Sequence, residues 1–90
     1  SYMQLGELQT QVVKEIDDIE SAKKWFRNNY SAKAVDLSLD LDTSESLTNK
    51  YFQRSLFIKR MLHQQFPDFE DSFLDYITEQ FYEELFPQDE

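Results

Sequence analysis

The chain has 90 residues, of which 40% are hydrophobic and 16% aromatic, with one Gly, two Pro and no Cys. This composition excludes a disordered chain and a disulfide framework, and the scarcity of turn-forming residues favours helices over a multi-stranded fold. Residues 1–67 carry nine acids and nine bases, whereas residues 68–90 carry nine acids and no base, so the net charge of −9 sits in the last quarter of the chain.

This charge distribution argues against nucleic-acid binding, because phosphate contacts need clustered Lys and Arg. No apolar run approaches the ~20 residues needed to cross a bilayer, and no secretory signal is visible. We therefore expect residues 1–90 to form one small domain with a short acidic tail at 87–90. We also expect a soluble, cytoplasmic protein that does not associate with membranes.

The first predicted helix spans about residues 4–30. Its apolar residues recur at spacings of three, four or seven, which is the pattern of one helix face. They are Leu5, Leu8, Val12, Ile16, Ile19, Phe26 and Tyr30. Asp17 and Glu20 resemble a capping box, which leaves two helices with a break near Asp17 as an alternative. One long helix is favoured because the apolar stripe keeps its phase across that site.

Residues 34–41 predict a short strand. Val35, Leu37, Leu39 and Leu41 alternate with polar residues, which is the period of a half-buried strand. The sequence contains no second stretch of this kind, so such a strand must pair outside its own chain. We expect these four residues to pair with a symmetric copy in a homodimer, or with the sheet edge of another protein. An extended linker is the alternative.

The second long helix is predicted over 43–66, with Asp42 as its N-cap and Glu45 completing a capping box. Its apolar residues point in several directions, and a helix of this kind usually lies at the centre of a fold. The main face consists of Leu47, Tyr51, Ile58, Leu62 and Phe66. We expect Ile58 and Leu62 to lie in the core.

The last helix is predicted over 69–86, after Pro67 ends the preceding helix and with Asp68 as its cap. A wide apolar arc marks the face that we expect to be buried. It consists of Phe69, Phe73, Leu74, Tyr76, Ile77, Phe81 and Leu85. The predicted fold is therefore mainly α, with three long amphipathic helices and one short strand, for which pairing across a homodimer is one of the routes left open.

Four acids of the last helix follow one another at a spacing of four residues. They are Asp71, Asp75, Glu79 and Glu83. Each like-charge pair at this spacing costs about 0.2–0.5 kcal/mol. The four acids form either a solvated face, with the repulsion eased by the basic side of the preceding helix, or a docking surface. Tyr82 and Phe86 are expected beside them, and aromatic residues next to charge are typical interface anchors.

The sequence carries no catalytic or metal-binding signature. The chain has no Cys, and no acid lies at helical spacing from His63, so a metal site is not indicated. Gly6 is the single glycine, which rules out a glycine-rich phosphate loop. We therefore expect no enzyme activity, metal or cofactor, and predict a protein-interaction or regulatory module whose partner has a basic or apolar surface. The predicted partner-binding residues are Asp71, Asp75, Glu79, Tyr82, Glu83 and Phe86. The alternative is an acidic inhibitor that mimics DNA.

Overall fold

A computed structural model of the chain describes residues 2–42 and 44–87, with side chains from residue 12 onward. The described residues form four helices and no strand, so the mainly α class is confirmed. The helices are α1 (Tyr2–Asn29), α2 (Ala32–Leu39), α3 (Leu47–Gln65) and α4 (Asp71–Leu85). The expectations for Thr43, the tail beyond residue 87, and the side chains of Leu5 and Leu8 lie outside the described residues.

Helix α1 runs without interruption past Asp17, so the single long helix favoured by the sequence is confirmed and the alternative of a break is not. Its second half is packed, since Ala22 and Phe26 are fully buried. Toward the other end, Val13 and Ile16 are more than half exposed. The apolar stripe of α1 therefore continues beyond the part of the helix that contacts the body of the molecule.

The predicted strand at 34–41 is wrong, because residues Ala32–Leu39 form helix α2. Ser31 caps this helix, its Oγ accepting a hydrogen bond from the Ala34 N–H at 3.1 Å. At the other end Asp40 adopts the left-handed conformation (φ 50°) and its N–H donates to the Asp36 carbonyl at 3.0 Å. Capping at both ends stabilises a helix here, although the alternating pattern favours a strand. The same alternation places Val35 and Leu39 four residues apart, which is also a helical spacing.

Because residues 32–39 form a helix, they cannot pair as a strand with another chain. The backbone groups of α2 are bonded within the helix, so no strand edge is offered to a second chain. Val35 is fully buried in the core of its own chain, whereas Leu37 is 71% exposed. Leu39 and Leu41 are half-buried. A homodimer stays a prediction, and it would have to form through another surface.

Helix α3 starts four residues later than predicted. Its N-cap is Ser46, whose Oγ accepts a hydrogen bond from the Asn49 N–H at 3.1 Å. The predicted capping box is wrong, because Asp42 instead accepts a hydrogen bond from the Ser44 N–H at 3.1 Å in the preceding turn. Glu45 contacts the Asn49 side-chain amide. A serine next to the helix competes better for its first free N–H groups than an aspartate in the turn.

Helix α4 starts at Asp71, after Glu70, rather than at Phe69 with Asp68 as cap. The intervening turn is closed by the Phe69 N–H, which donates to the Phe66 carbonyl at 3.1 Å. The rings of Phe66 and Phe69 stack at 4.9 Å between centroids. This turn around Pro67 returns the chain, so that α4 packs along α3.

The core lies where α3 meets α4, with α2 packed against α3 and the second half of α1 against α4. Ile58 and Leu62 of α3 are fully buried, as predicted. The core residues are Ala22, Phe26, Val35, Ile58, Leu62, Leu74, Ile77, Phe81, Tyr82 and Phe86. Phe26 and Phe81 meet edge to face at 5.3 Å and join α1 to α4. The faces of α3 and α4 that point away from this core form the candidate site.

Candidate functional site

The four predicted acids of α4 lie in a line on the exposed side of the helix, and we call them the acidic row. All four side chains are exposed. The row consists of Asp71, Asp75, Glu79 and Glu83. The spacing of four residues stacks them one helical turn apart, which is why they share a face.

The first half of the acidic row is paired within the molecule. Lys59 of α3 places its Nζ 2.8 Å from Asp71 Oδ1 and 2.8 Å from Asp75 Oδ1. Hydrogen bonds to these two carboxylates hold the pKa of Lys59 above its ordinary value. This half of the row therefore links α4 to α3, as the sequence suggested for the basic side of the preceding helix.

The second half of the acidic row has no such partner. Among the residues that the structure describes, no Lys, Arg or His forms an ion pair with Glu79 or Glu83. The two glutamates therefore repel each other, and Glu79 also repels Asp75. The unpaired negative charge of α4 is concentrated at its C-terminal half, where the helix dipole makes it less favourable still.

Tyr82 and Phe86 were predicted to be exposed anchors beside the acidic row, and this placement is wrong. Both are buried, with exposed fractions of 4% and 6%. Tyr82 packs on Tyr51 with ring centroids 4.6 Å apart and on Phe86 at 5.1 Å. The buried face of α4 is rotated relative to the predicted arc, so that Tyr76 is the aromatic residue left 52% exposed.

Arg54 contacts both of these buried residues, and sequence reasoning missed its role. Its side chain is 8% exposed and forms a bidentate pair with Asp36 of α2, with both N–O distances 2.7 Å. The guanidinium carbon lies 4.0 Å from the Phe86 ring centroid. Its Nη1 also donates a hydrogen bond to the Tyr82 hydroxyl at 3.4 Å. Arg54 thus covers the α4 residues that were expected to be exposed.

A groove runs between the outer faces of α3 and α4, next to the acidic row, and we call it the α3–α4 groove. Its volume is about 330 Å³. It is lined by Tyr51, Phe52, Ser55, Leu56, Lys59, Asp75, Thr78 and Glu79. Phe52 is 61% exposed and Leu56 40%, so the apolar wall of the groove is open to solvent. The sequence signal for this wall was the presence of apolar residues on several sides of the helix predicted over 43–66.

The base of the α3–α4 groove is formed by two small side chains. The hydroxyl oxygens of Ser55 and Thr78 are buried there, and neither has a hydrogen-bond partner within 2–42 and 44–87. Buried hydroxyls are usually bonded, so their occurrence together in one groove distinguishes this part of the surface.

A second ion-pair cluster joins α1 to α4 on another side of the molecule. Glu84 Oε2 lies 2.6 Å from Lys23 Nζ, and Glu84 Oε1 lies 2.9 Å from Arg27 Nη2. The hydrogen bond from Lys23 is the main cause that lowers the pKa of Glu84. Because Glu84 is neutralised in this way, it does not add to the free charge of the acidic row.

Other kinds of site find little support. No group of three or more His, Cys, Asp or Glu side chains in the described ranges is placed to hold a metal ion. Within the same ranges, no helix combines the length and the apolar content that a bilayer crossing requires. His63 is exposed on α3. Comparison of the chain with protein-family models, curated proteins and solved structures finds no match.

Proposed function

We propose that the chain is a non-catalytic protein-interaction module that docks a basic partner on the exposed face of α4. The observation that carries this proposal is the pair of unneutralised glutamates, Glu79 and Glu83, beside an open apolar groove. A charged rim next to apolar side chains is the usual anatomy of a protein-binding surface.

The electrostatic part of the proposal follows from the unequal pairing of the acidic row. Asp71 and Asp75 share Lys59, so their charge is largely used inside the molecule. Glu79 and Glu83 are left to attract an external cation, and a partner bearing Lys or Arg would relieve their mutual repulsion. Such charges mainly accelerate encounter and select the partner, whereas buried contacts hold the complex together.

The proposed anchoring residues lie on α3, because Tyr82 and Phe86 are buried. The apolar side chains that border the acidic row are Tyr51, Phe52 and Leu56. Aromatic residues in such a position carry a large share of binding energy in many interfaces. Their presence beside the row favours a protein partner over DNA mimicry, since a phosphate row has no apolar counterpart. Competition by duplex DNA for the captured partner would support DNA mimicry instead.

The experiment compares proteins captured from a cell extract by three forms of the chain. The forms are wild type, Glu79→Gln with Glu83→Gln, and a matched control, Glu15→Gln with Glu20→Gln, which removes the same charge from exposed positions of α1. A partner identified by mass spectrometry is then purified and its association rate is measured at several salt concentrations. We expect the α4 variant to associate more slowly, chiefly at low salt. Equal rates for the two variants would refute the proposal.

A further inference from the structure

The α3–α4 groove has the form of a site for a helix. Three exposed apolar residues of α3 line it, Tyr51, Phe52 and Leu56. The lining residues of α3 run from 51 to 59, over which the helix rises about 12 Å, roughly two turns of a ligand helix. A third helix can settle between two packed helices at the usual interaxial distance of about 8–10 Å.

The floor of the groove suits a close approach. Ser55 and Thr78 are the smallest side chains that line the groove, so they keep it open between the larger side chains of α3 and α4. Thr78 is only 5% exposed, and its hydroxyl has no hydrogen-bond partner in the described part of the chain. Because both hydroxyls are enclosed, the floor offers a ligand the shape of two small side chains rather than a hydrogen-bonding group.

The charges around the groove decide what kind of helix it accepts. Asp75 and Glu79 line the α4 side, with Glu83 one turn further, and Lys59 is held by the acidic row. Another copy of this chain could offer the exposed Val13 and Ile16 of its α1, but that stretch also carries Glu15, Asp17 and Asp18. Acidic residues on both sides would repel, so charge complementarity favours a basic partner over a second copy.

Building on the proposed function, we propose that the α3–α4 groove binds a basic amphipathic helix of a partner protein. The apolar stripe of that helix packs on Tyr51, Phe52 and Leu56. Its flanking Lys or Arg residues face Glu79 and Glu83. This is the helix-in-groove mode of recognition, in which apolar anchors at i, i+3 or i+4 and i+7 supply the affinity.

The test uses two synthetic peptides of about 16 residues with identical Leu and Lys composition. In the striped peptide the leucines follow the i, i+3, i+4, i+7 pattern, and in the permuted peptide they are spread around the helix. We expect the striped peptide to bind at least about tenfold more tightly, as a packed apolar face requires. In NMR spectra of the labelled wild-type chain, binding of the striped peptide should shift the amide signals of Phe52, Leu56 and Thr78.

A pair of variants separates the groove from the acidic row. Phe52→Ala with Leu56→Ala removes exposed side chains that are outside the core, so the fold should be retained, and a thermal melt checks this. Val13→Ala with Ile16→Ala is the matched control on α1. We expect the groove variant to lose at least about tenfold in affinity for the striped peptide and the control variant to lose less than about twofold.

Three results would overturn the helix-in-groove inference. They are equal affinity for the two peptides, no binding of either peptide, and a self-association of the wild type that the groove variant abolishes, which would make the groove a contact between copies. The proposed function is judged separately. If both peptides bind equally and Glu79→Gln with Glu83→Gln weakens both, the acidic face docks basic partners without using the groove.

Discussion

Arg54 is the residue on which the arrangement of three helices depends. It occupies a position on the core stripe of α3, four residues before Ile58, and its guanidinium is enclosed by groups from α2 and α4. Asp36 supplies the countercharge, Phe86 a ring face, and Tyr82 a hydroxyl. A buried arginine is tolerated only when each of its faces is satisfied in this manner. Loss of one of these groups leaves the others around an uncompensated cation.

Replacement of Asp36 by Asn tests this dependence. The substitution keeps the shape of the side chain but removes the countercharge of Arg54. We expect a loss of about 1–3 kcal/mol in the free energy of unfolding, less than for a fully enclosed pair because the Asp36 side chain is 39% exposed. Urea denaturation measures it. Asp68→Asn, at an exposed position in the turn between α3 and α4, is the control, and an equal effect of both would show that the pair contributes little.

The Glu84 ion pairs predict a specific dependence on pH. Because contacts with Lys23 and Arg27 lower the folded pKa of Glu84 below its ordinary value of 4.5, its contribution is present above that pH. The contribution is lost as the pH falls through the lowered folded pKa. We expect the difference in stability between wild type and Glu84→Gln to shrink on acidification. Gln80→Ala, at an exposed and uncharged position of α4, should show no comparable change, and a difference for Glu84→Gln that is independent of pH would contradict the prediction.

At the scale of elements, the sequence predicts the three long helices but not α2. The apolar stripes of α1, α3 and α4 extend over several turns, and a period of 3.6 is unambiguous over that length. In the short stretch from Val35 to Leu41, alternation also contains residues four apart, so both periods fit. The decisive contacts, Ser31 at the N-cap and Asp36 with Arg54, depend on the backbone conformation and on a residue of α3.

The N-cap of α2 provides a test of this explanation. Ser31→Ala removes the acceptor for the Ala34 N–H, and we expect a loss of about 0.5–2 kcal/mol together with faster hydrogen exchange of the α2 amides. The matched control is Ser38→Ala, an exposed position within the same helix, where alanine should be neutral or slightly stabilising. Exchange of α2 as fast in the wild type as in the Ser31 variant would mean that the cap does not hold the helix.

At the scale of the whole molecule, contacts between helices explain why the candidate site was only partly predicted. Four-residue spacing alone places the acidic row on one face of α4, and its position on the surface follows directly. Which aromatic residues lie beside it depends on what covers α4. Since Arg54 contacts both Tyr82 and Phe86, and both are buried, the aromatic edge of the site comes instead from Phe52 and Tyr51 of α3. No pattern within a single helix carries that information.

The elongated shape of the molecule follows from the length of α1. The molecule measures 56 Å along its longest axis but only 23 and 19 Å across. A helix of 28 residues is about 42 Å long. Its packed half is fixed by Phe26, while Val13 and Ile16 remain exposed beyond the core. The α3–α4 groove and this half of α1 are therefore two separate apolar surfaces, and only the groove is bordered by unpaired acids of α4.

The two halves of the acidic row should respond in opposite ways to the same loss of charge. Asp71→Asn with Asp75→Asn removes both partners of Lys59 and should lower the melting temperature. Glu79→Gln with Glu83→Gln removes two repulsive contacts, those between 75 and 79 and between 79 and 83. It should raise the free energy of unfolding by roughly 0.4–1 kcal/mol.

The two halves of the acidic row should also differ in their effect on partner binding. Because Glu79 and Glu83 face solvent without a partner in the fold, their replacement should slow association with a basic partner while the chain itself becomes more stable. Residues that reduce stability but serve binding commonly show this combination. Thermal melts and association rates of the two double variants, compared at low and high salt, measure both effects. If the Glu79 and Glu83 variant loses stability, or binds as fast as the wild type, the second half of the row is part of the fold and not a docking surface.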